Sequence, residues 1–137
     1  MNKKVIVCVD DEPMILSSLT EQLQKLFGEQ YQYETAENTE EGMELLDELK
    51  KEGTEVMAIV SDWLMPDVKG DEFLIRVHKK YPDIVKVMLT GQANQKSIEN
   101  ARQHAGLHAC IYKPWTDNDL KVIINTGLGE KSDEIAK

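Results

Sequence analysis

The chain has 137 residues, 16 of them basic and 25 acidic, which gives a net charge of −9 at pH 7. One domain with one continuous hydrophobic core is expected at this length. The acidic excess disfavours direct binding to the phosphate backbone of nucleic acids, so we expect no direct nucleic-acid contact. No apolar run reaches the roughly 18 residues that a membrane helix needs, and no signal-peptide pattern opens the chain, which favours a cytoplasmic protein without membrane contact.

Apolar runs of strand length, without regular alternation of apolar and polar residues, recur along the chain and predict strands that are buried on both faces. They cover residues 5–9, 56–60, 84–89 and 108–112, with a weaker run near Tyr31. Cys8 and Cys110 fall inside two of these runs, so we expect buried thiols rather than a disulfide.

Between the predicted strands, apolar residues recur at helical spacing and predict five helices. The stripes are Leu16, Leu19 and Leu23; Leu45, Leu46 and Leu49; Phe73, Leu74 and Val77; Ile98, Ala101 and Ala105; and Leu120, Ile124 and Leu128. Strict alternation of strands and helices predicts an α/β fold with a parallel sheet, helices on both faces and a working site at the carboxyl ends of the strands.

Carboxylates stand where two of the predicted strands end. Asp10 and Asp11 follow the first strand in "VDDEP", and Asp62 follows the third in "VSDW". Taken singly, Asp11 could cap the helix that begins near Pro13, and Asp62 could cap a turn before Pro66. Taken together, the three acids repel one another unless one is protonated or a cation lies among them, and oxygen ligands without His or Cys suit Mg2+.

Two further strand ends place complementary groups at the same edge. The fourth strand ends in "VMLTGQ" with the hydroxyl of Thr90, and the fifth ends in "CIYKPW" with the ammonium of Lys113, a point charge suited to phosphate. The strand-end residues therefore predict one site in which carboxylates lie close to a hydroxyl group and an amine that can bind phosphate.

On these motifs, residues 3–128 resemble the receiver domain of two-component response regulators. The resemblance implies a doubly wound (βα)5 fold with five parallel strands in the order 2-1-3-4-5. Residues 129–137 would then be a tail or the start of a linker to an output domain. The resemblance also implies a cis peptide bond before Pro114.

The resemblance further implies a phosphoacceptor signalling module that catalyses its own phosphorylation and dephosphorylation and turns over no external metabolite. Asp62 would accept a phosphoryl group from a histidine of a sensor kinase or a phosphotransfer protein. Mg2+ would be bound directly by Asp11, Asp62 and the backbone carbonyl of Leu64, and Asp10 would act mainly through a bound water. Thr90 and Lys113 would bind phosphoryl oxygens after the transfer and switch an interaction surface.

The implied partners are the phosphodonor protein and an output, which would be either a domain of the same chain or a separate protein. A homodimer through the fourth and fifth helices is compatible with the sequence. Leu64 and Gln92 occupy positions that, in the family, affect how fast water removes the phosphoryl group. The apolar Leu64 cannot orient a water molecule, whereas Gln92 could, so the two expected effects oppose each other.

The chain departs from the family pattern three residues before the lysine, where Cys110 replaces the usual aromatic residue. The family's conformational switch uses an aromatic ring at this position together with the threonine, and this chain has the threonine without that ring. Alternation along the strand predicts that Tyr112 is a packing residue and does not replace that aromatic ring.

Three alternative functions compete with the phosphoacceptor interpretation. A haloacid-dehalogenase-like phosphatase would need an acid two residues after its nucleophile, whereas the chain has "DWL". A flavodoxin-like electron carrier would need a loop rich in Ser, Thr or Gly after the first strand, where the acidic "DDEPM" stands. A receiver that only docks, without phosphorylation, is compatible with the sequence.

Overall fold

Strands and helices alternate along the chain in this computed structural model, which describes residues 3–65, 67–91 and 95–136, and side chains up to residue 128. The strands are β1 (Lys4–Val9), β2 (Gln32–Ala36), β3 (Glu55–Asp62), β4 (Val85–Thr90) and β5 (Ala109–Tyr112). The helices are α1 (Pro13–Phe27), α2 (Thr39–Lys51), α3 (Gly70–Lys80), α4 (Gln95–Ala105) and α5 (Asp117–Ala136), and a short 3-10 helix (Gly28–Gln30) follows α1. Pro66 and Gln92 lie outside the described residues.

The strands form one sheet in the order β2-β1-β3-β4-β5, and every neighbouring pair is parallel. The predicted (βα)5 fold and strand order are therefore confirmed. In the register of the sheet, Val9 pairs with Ser61, Asp62 with Leu89 and Thr90 with Tyr112. Four strand ends thus reach the same edge of the sheet, which is the geometry that the site requires.

Successive residues of the central strands point to opposite faces and build two hydrophobic layers. Val5, Val7 and Val9 face the layer under α2, α3 and α4, whereas Ile6 and Cys8 face the layer under α1 and α5. Each fully buried aliphatic side chain stabilises the fold by about 1.5–3 kcal/mol. Because both faces of these strands are covered, successive residues are apolar, and the strands appear in the sequence as apolar runs.

Side-chain hydrogen bonds cap the first turns of two helices. Asn38 caps α2 through a 2.8 Å bond from the Glu41 N–H, and Thr116 and Asp119 exchange two 3.0 Å bonds at the start of α5. The interpretation of Asp11 as a helix cap was wrong, because the cap residue of α1 is Glu12 and no side chain bonds there. Helix α5 continues to Ala136, so the backbone beyond the expected boundary at residue 128 is helical.

The carboxyl end of β5 differs from its prediction. Tyr112 was expected to pack, but its side chain is 54% exposed, because β5 lies at the edge of the sheet and the helices leave its last residue uncovered. Cys110 is half-buried and Cys8 is fully buried, and both are free thiols. The peptide bond between Lys113 and Pro114 is cis, as expected. Among the described residues, no helix is both long and apolar enough to cross a membrane.

Candidate functional site

Backbone hydrogen bonds continue the sheet past the strand ends and fix the residues of the candidate site. The Asp10 N–H donates to the Ala36 carbonyl at 3.2 Å, directly after β1. The Trp63 N–H donates to Leu89 at 2.9 Å after β3, and the Lys113 N–H donates to Thr90 at 2.9 Å after β5. The side chains at these positions therefore start from a rigid frame.

The carboxylates of Asp10, Asp11 and Asp62 converge as predicted, with one oxygen from each lying within 4.8 Å of the others. Asp10 is 0% exposed and Asp62 is 5% exposed, while Asp11 lies in solvent. Asp10 Oδ1 accepts a 2.9 Å bond from the Glu12 N–H, which fixes the orientation of that carboxylate. The cluster thus has a buried floor and an open rim.

Lys113 supplies a positive charge next to Asp62 and Asp10. Its ammonium donates to Asp62 Oδ1 at 3.0 Å and lies 3.6 Å from Asp10 Oδ2. Burial lowers the pKa of Lys113, but the hydrogen bond with Asp62 and the charges of both acids outweigh burial and raise that pKa above its ordinary value. Lys113 is therefore held as a cation against the two buried carboxylates.

Burial dominates the protonation of the two inner acids. It raises the pKa of Asp10 to about 6, the charges of Asp62 and Asp11 act in the same direction, and the Glu12 N–H and Lys113 oppose the rise. Burial likewise raises the pKa of Asp62, with Lys113 offsetting part of the effect and the charge of Asp11 adding to it. One lysine therefore compensates the three acids only in part.

The residues present fit a hard divalent cation. Among the described residues, Asp10 Oδ2 is buried and has no hydrogen-bond partner, since Lys113 at 3.6 Å is beyond hydrogen-bond range. A buried carboxylate oxygen with a free lone pair, next to two further carboxylates, is the donor set that Mg2+ takes in proteins.

The remaining predicted residues lie around this cluster. Thr90 is buried at the end of β4, one strand away from Asp62, and its carbonyl holds the Lys113 backbone. Leu64 lies two residues past Asp62 in the loop, and its side chain is 60% exposed. The leucine side chain carries no oxygen atom, so any metal contact of Leu64 would be made by its backbone carbonyl.

A groove with a volume of 760 Å3 adjoins the site between α1 and the loop after β5. Trp115 Nε1 donates to Gln22 Oε1 at 2.6 Å, and Gln22 Nε2 donates to Asp117 Oδ1 at 2.8 Å, which ties the loop to α1. A second cavity of 380 Å3 is lined by Tyr81 and Ile84 near the amino ends of the strands, away from the carboxylates, and is not part of the site.

Sequence reasoning missed two acids in the segment after Asp62. Asp67 accepts bonds from the Thr39 hydroxyl at 2.6 Å and the Glu40 N–H at 3.2 Å, which anchors the segment to α2. Asp71 accepts a 3.2 Å bond from Trp63 Nε1 and a 3.0 Å bond from Asn100 Nδ2 on α4. The partners are distant in sequence, and the signal available there was an excess of acids around the first turn of α3.

Comparison with known proteins agrees with this geometry. The family described as the response regulator receiver domain matches residues 6–125. A chemotaxis protein CheY homolog of Campylobacter jejuni is 34% identical over 101 residues, which cover 69% of this chain and 76% of that protein. The hydrogenase transcriptional regulatory protein HoxA of Cupriavidus necator is 29% identical over 115 residues, and the match spans 84% of this chain but only 22% of HoxA.

A solved structure shows the same architecture over almost the whole chain. The CheY-like response regulator receiver domain protein from Methanospirillum hungatei JF-1 has a TM-score of 0.80 and 31% identity, with 98% of this chain and 99% of that chain covered. Because the chain belongs to this family, the receiver interpretation is favoured over the phosphatase and the electron carrier. The chain belongs to the response-regulator receiver domains of two-component systems, which are phosphorylation-accepting signalling modules.

Proposed function

We propose that Asp62 is the phosphoacceptor and that a phosphohistidine of a sensor histidine kinase or a phosphotransfer protein is its donor. The observation that carries this assignment is the position of Asp62, which ends β3, lies 3.0 Å from the Lys113 ammonium and shares one cluster with the carboxylates of Asp10 and Asp11. Of the three acids, Asp62 alone receives a hydrogen bond from Lys113 at that distance.

In the proposed reaction a carboxylate oxygen of Asp62 attacks the phosphorus atom. The new P–O bond forms as the P–N bond to the donor imidazole breaks, and the imidazole nitrogen takes up a proton. Lys113 neutralises Asp62 before the attack and then binds a phosphoryl oxygen with the same ammonium. Thr90, one strand away, donates its hydroxyl to another phosphoryl oxygen and so senses the transfer.

The acids of the site would hold Mg2+ through Asp10, Asp11, Asp62 and the backbone carbonyl of Leu64. When bound, the ion neutralises charge between the carboxylates and the incoming phosphoryl group. Asp10 keeps its carboxylate fixed through the Glu12 N–H, so its second oxygen remains directed to the cluster. Hydrolysis of the resulting acyl phosphate by water would reset the module.

The output of the module is a protein interaction, made with a domain of the same chain or with a separate protein. Tyr112 and Val122 are exposed apolar side chains on β5 and α5 and offer such a surface. A second copy of the chain is one candidate occupant, and sedimentation with and without phosphodonor tests it. The assignment of residues 3–128 to the receiver and of 129–137 to a tail or linker, and the cytoplasmic location, stay predictions.

The proposal is tested by incubating the protein with Mg2+ and either acetyl phosphate or phosphoramidate, followed by intact mass spectrometry. We expect one phosphoryl adduct on the parent protein, none on Asp62→Asn and none after chelation of the metal. Asp67→Asn is a matched control, because it removes an acid from the same segment outside the cluster, and it should still form the adduct. An adduct that survives in Asp62→Asn would contradict the assignment by placing the phosphoryl group on another residue. No adduct on the parent with either donor would also contradict it and would favour a receiver that only docks.

A further inference from the structure

Asp71 joins the neighbour of the proposed phosphoacceptor to helix α4. Its Oδ1 accepts the 3.2 Å bond from the Trp63 indole, and its Oδ2 accepts the 3.0 Å bond from the Asn100 amide. The side chain is only 6% exposed, so water contributes little to its solvation. Each oxygen of this buried carboxylate therefore depends on a donor from a different part of the fold.

The start of α3 lies against the backbone of Asp62 and Trp63. The Gly70 N–H donates to the Trp63 carbonyl at 2.7 Å. A Cβ atom at Gly70 would lie 2.4 Å from the Asp62 carbonyl oxygen and 2.6 Å from Trp63 Cα, so only glycine permits this approach. Asp71, the next residue, therefore follows a backbone position that is held against Asp62 and Trp63.

The two hydrogen bonds of Asp71 make its position costly to change. Hydrogen bonds to a charged group are stronger than those between neutral groups, and a buried oxygen that loses its donor carries a desolvation penalty. The Lys69 ammonium lies over the Trp63 ring, 5.8 Å from its centroid. Trp63 and Asn100 are thus joined through one carboxylate that is largely shielded from water.

We propose that Asp71 is a positioning residue that couples phosphorylation of Asp62 to the conformation of α4, through the chain Trp63, Asp71 and Asn100. The inference rests on the proposed function, because it needs a chemical event at Asp62. It assigns the regulation of the site to a buried carboxylate on α3. The loop has a separate tether to α2 through Asp67 and Thr39, which provides a comparison within the same molecule.

The test measures backbone hydrogen exchange of residues 95–105 with Mg2+, in the presence and absence of acetyl phosphate, while intact mass reports the adduct. Asn100→Asp places two carboxylates against each other and should abolish the response of α4. The exchanged pair Asp71→Asn with Asn100→Asp restores one donor and one acceptor between α3 and α4, and should recover the response. Asn100→Ala removes the donor without adding charge and is the second uncoupling variant. Thr39→Val removes the other tether and should leave the response of α4 unchanged.

The outcomes separate this inference from the proposed function. We expect the adduct on the parent and on every variant, a changed exchange rate of α4 in the parent, loss of that change in both Asn100 variants, and recovery in the exchanged pair. If Asn100→Asp and Asn100→Ala form the adduct and α4 still responds as in the parent, the role of Asp71 is refuted while the function of Asp62 stands. An adduct on the parent without any response of α4 refutes it equally. If the parent forms no adduct, both the proposed function and this inference fail.

Discussion

Lys113 Nζ and Asp62 Oδ1 lie 3.0 Å apart although 51 residues separate them in the chain. The contact exists because β3 and β5 flank β4 and end at the same edge of the sheet. Asp62 is thereby partly neutralised in a place where burial raises its pKa. The same cation is then in reach of an anion that arrives on Asp62.

Replacing Lys113 should slow the acceptance of a phosphoryl group. Lys113→Met removes the cation that faces the developing charge, and we expect the initial rate of adduct formation from acetyl phosphate to fall about tenfold or more. Lys25→Met is the matched control, since it removes an exposed lysine on α1 and changes the net charge equally. Equal rates for Lys113→Met and the parent would argue against a role for this ammonium.

Replacing Asp10 should stabilise the metal-free protein and remove its response to Mg2+. Asp10→Asn relieves repulsion between buried carboxylates, so the free energy of unfolding without divalent cations should rise by about 1–2 kcal/mol. Addition of Mg2+ should raise the melting temperature of the parent but hardly change that of the variant. Glu72→Gln, an exposed acid on α3, serves as the charge control. A variant that keeps the full shift with Mg2+ would show that the ion binds elsewhere.

Lys86 should make stability depend on alkaline pH. The side chain is 1% exposed, its ammonium donates to the Ile84 and Pro82 carbonyls at 2.7 and 3.2 Å, and burial lowers its pKa from 10.5 to about 8. The unfolded chain therefore binds more protons than the folded protein between these two values, so the contribution of Lys86 to stability rises with pH across that window.

The comparison of the parent with Lys86→Met isolates this contribution from other groups that titrate at high pH. From below pH 8 to pH 10.5 the free energy of unfolding of the parent should gain up to about 3 kcal/mol relative to the variant. Urea unfolding at several pH values measures the difference. Parallel pH profiles for the two proteins would refute the assignment.

Gly70 should tolerate no side chain. Because a Cβ atom there would meet backbone atoms of Asp62 and Trp63, Gly70→Ala must displace the backbone at Asp62, the proposed phosphoacceptor, and should cost about 2–3 kcal/mol of stability. At Gly91 the nearest atom to a Cβ would be Lys113 Cβ at 3.9 Å, so Gly91→Ala should change stability by less than about 1 kcal/mol. Similar unfolding midpoints for the two variants would mean that the close approach at Gly70 is not restrictive.

The sheet and the core of the site could be predicted because their signals are local. Strands buried on both faces need apolar runs, which identify the strands in the sequence. Parallel strands place their carboxyl ends at the same edge of the sheet, so the proximity of Asp10, Asp62 and Lys113 could be predicted. The weaker signal of β2 has a physical cause, since it lies at the sheet edge and three of its five residues are exposed.

The missed features depend on contacts between distant segments. Asp71 has no sequence pattern that points to Asn100, because the packing of α3 against α4 determines their distance. Lys86 interrupts an apolar run, and only the carbonyls of the preceding loop explain how a lysine is buried there. The misassigned Tyr112 shows that alternation fails at the last residue of an edge strand, where no helix covers the side chain.

Chemical trapping of the acyl phosphate tests the central claim most directly. Borohydride reduces an aspartyl phosphate to homoserine, and tryptic cleavage after Lys51 and Lys69 would release residues 52–69, in which Asp62 and Asp67 are the two aspartates. After treatment with Mg2+ and acetyl phosphate, fragmentation of this peptide should show homoserine at position 62 and unmodified Asp67. Homoserine at position 67, or in the peptide that holds Asp10 and Asp11, with Asp62 unmodified, would contradict the account.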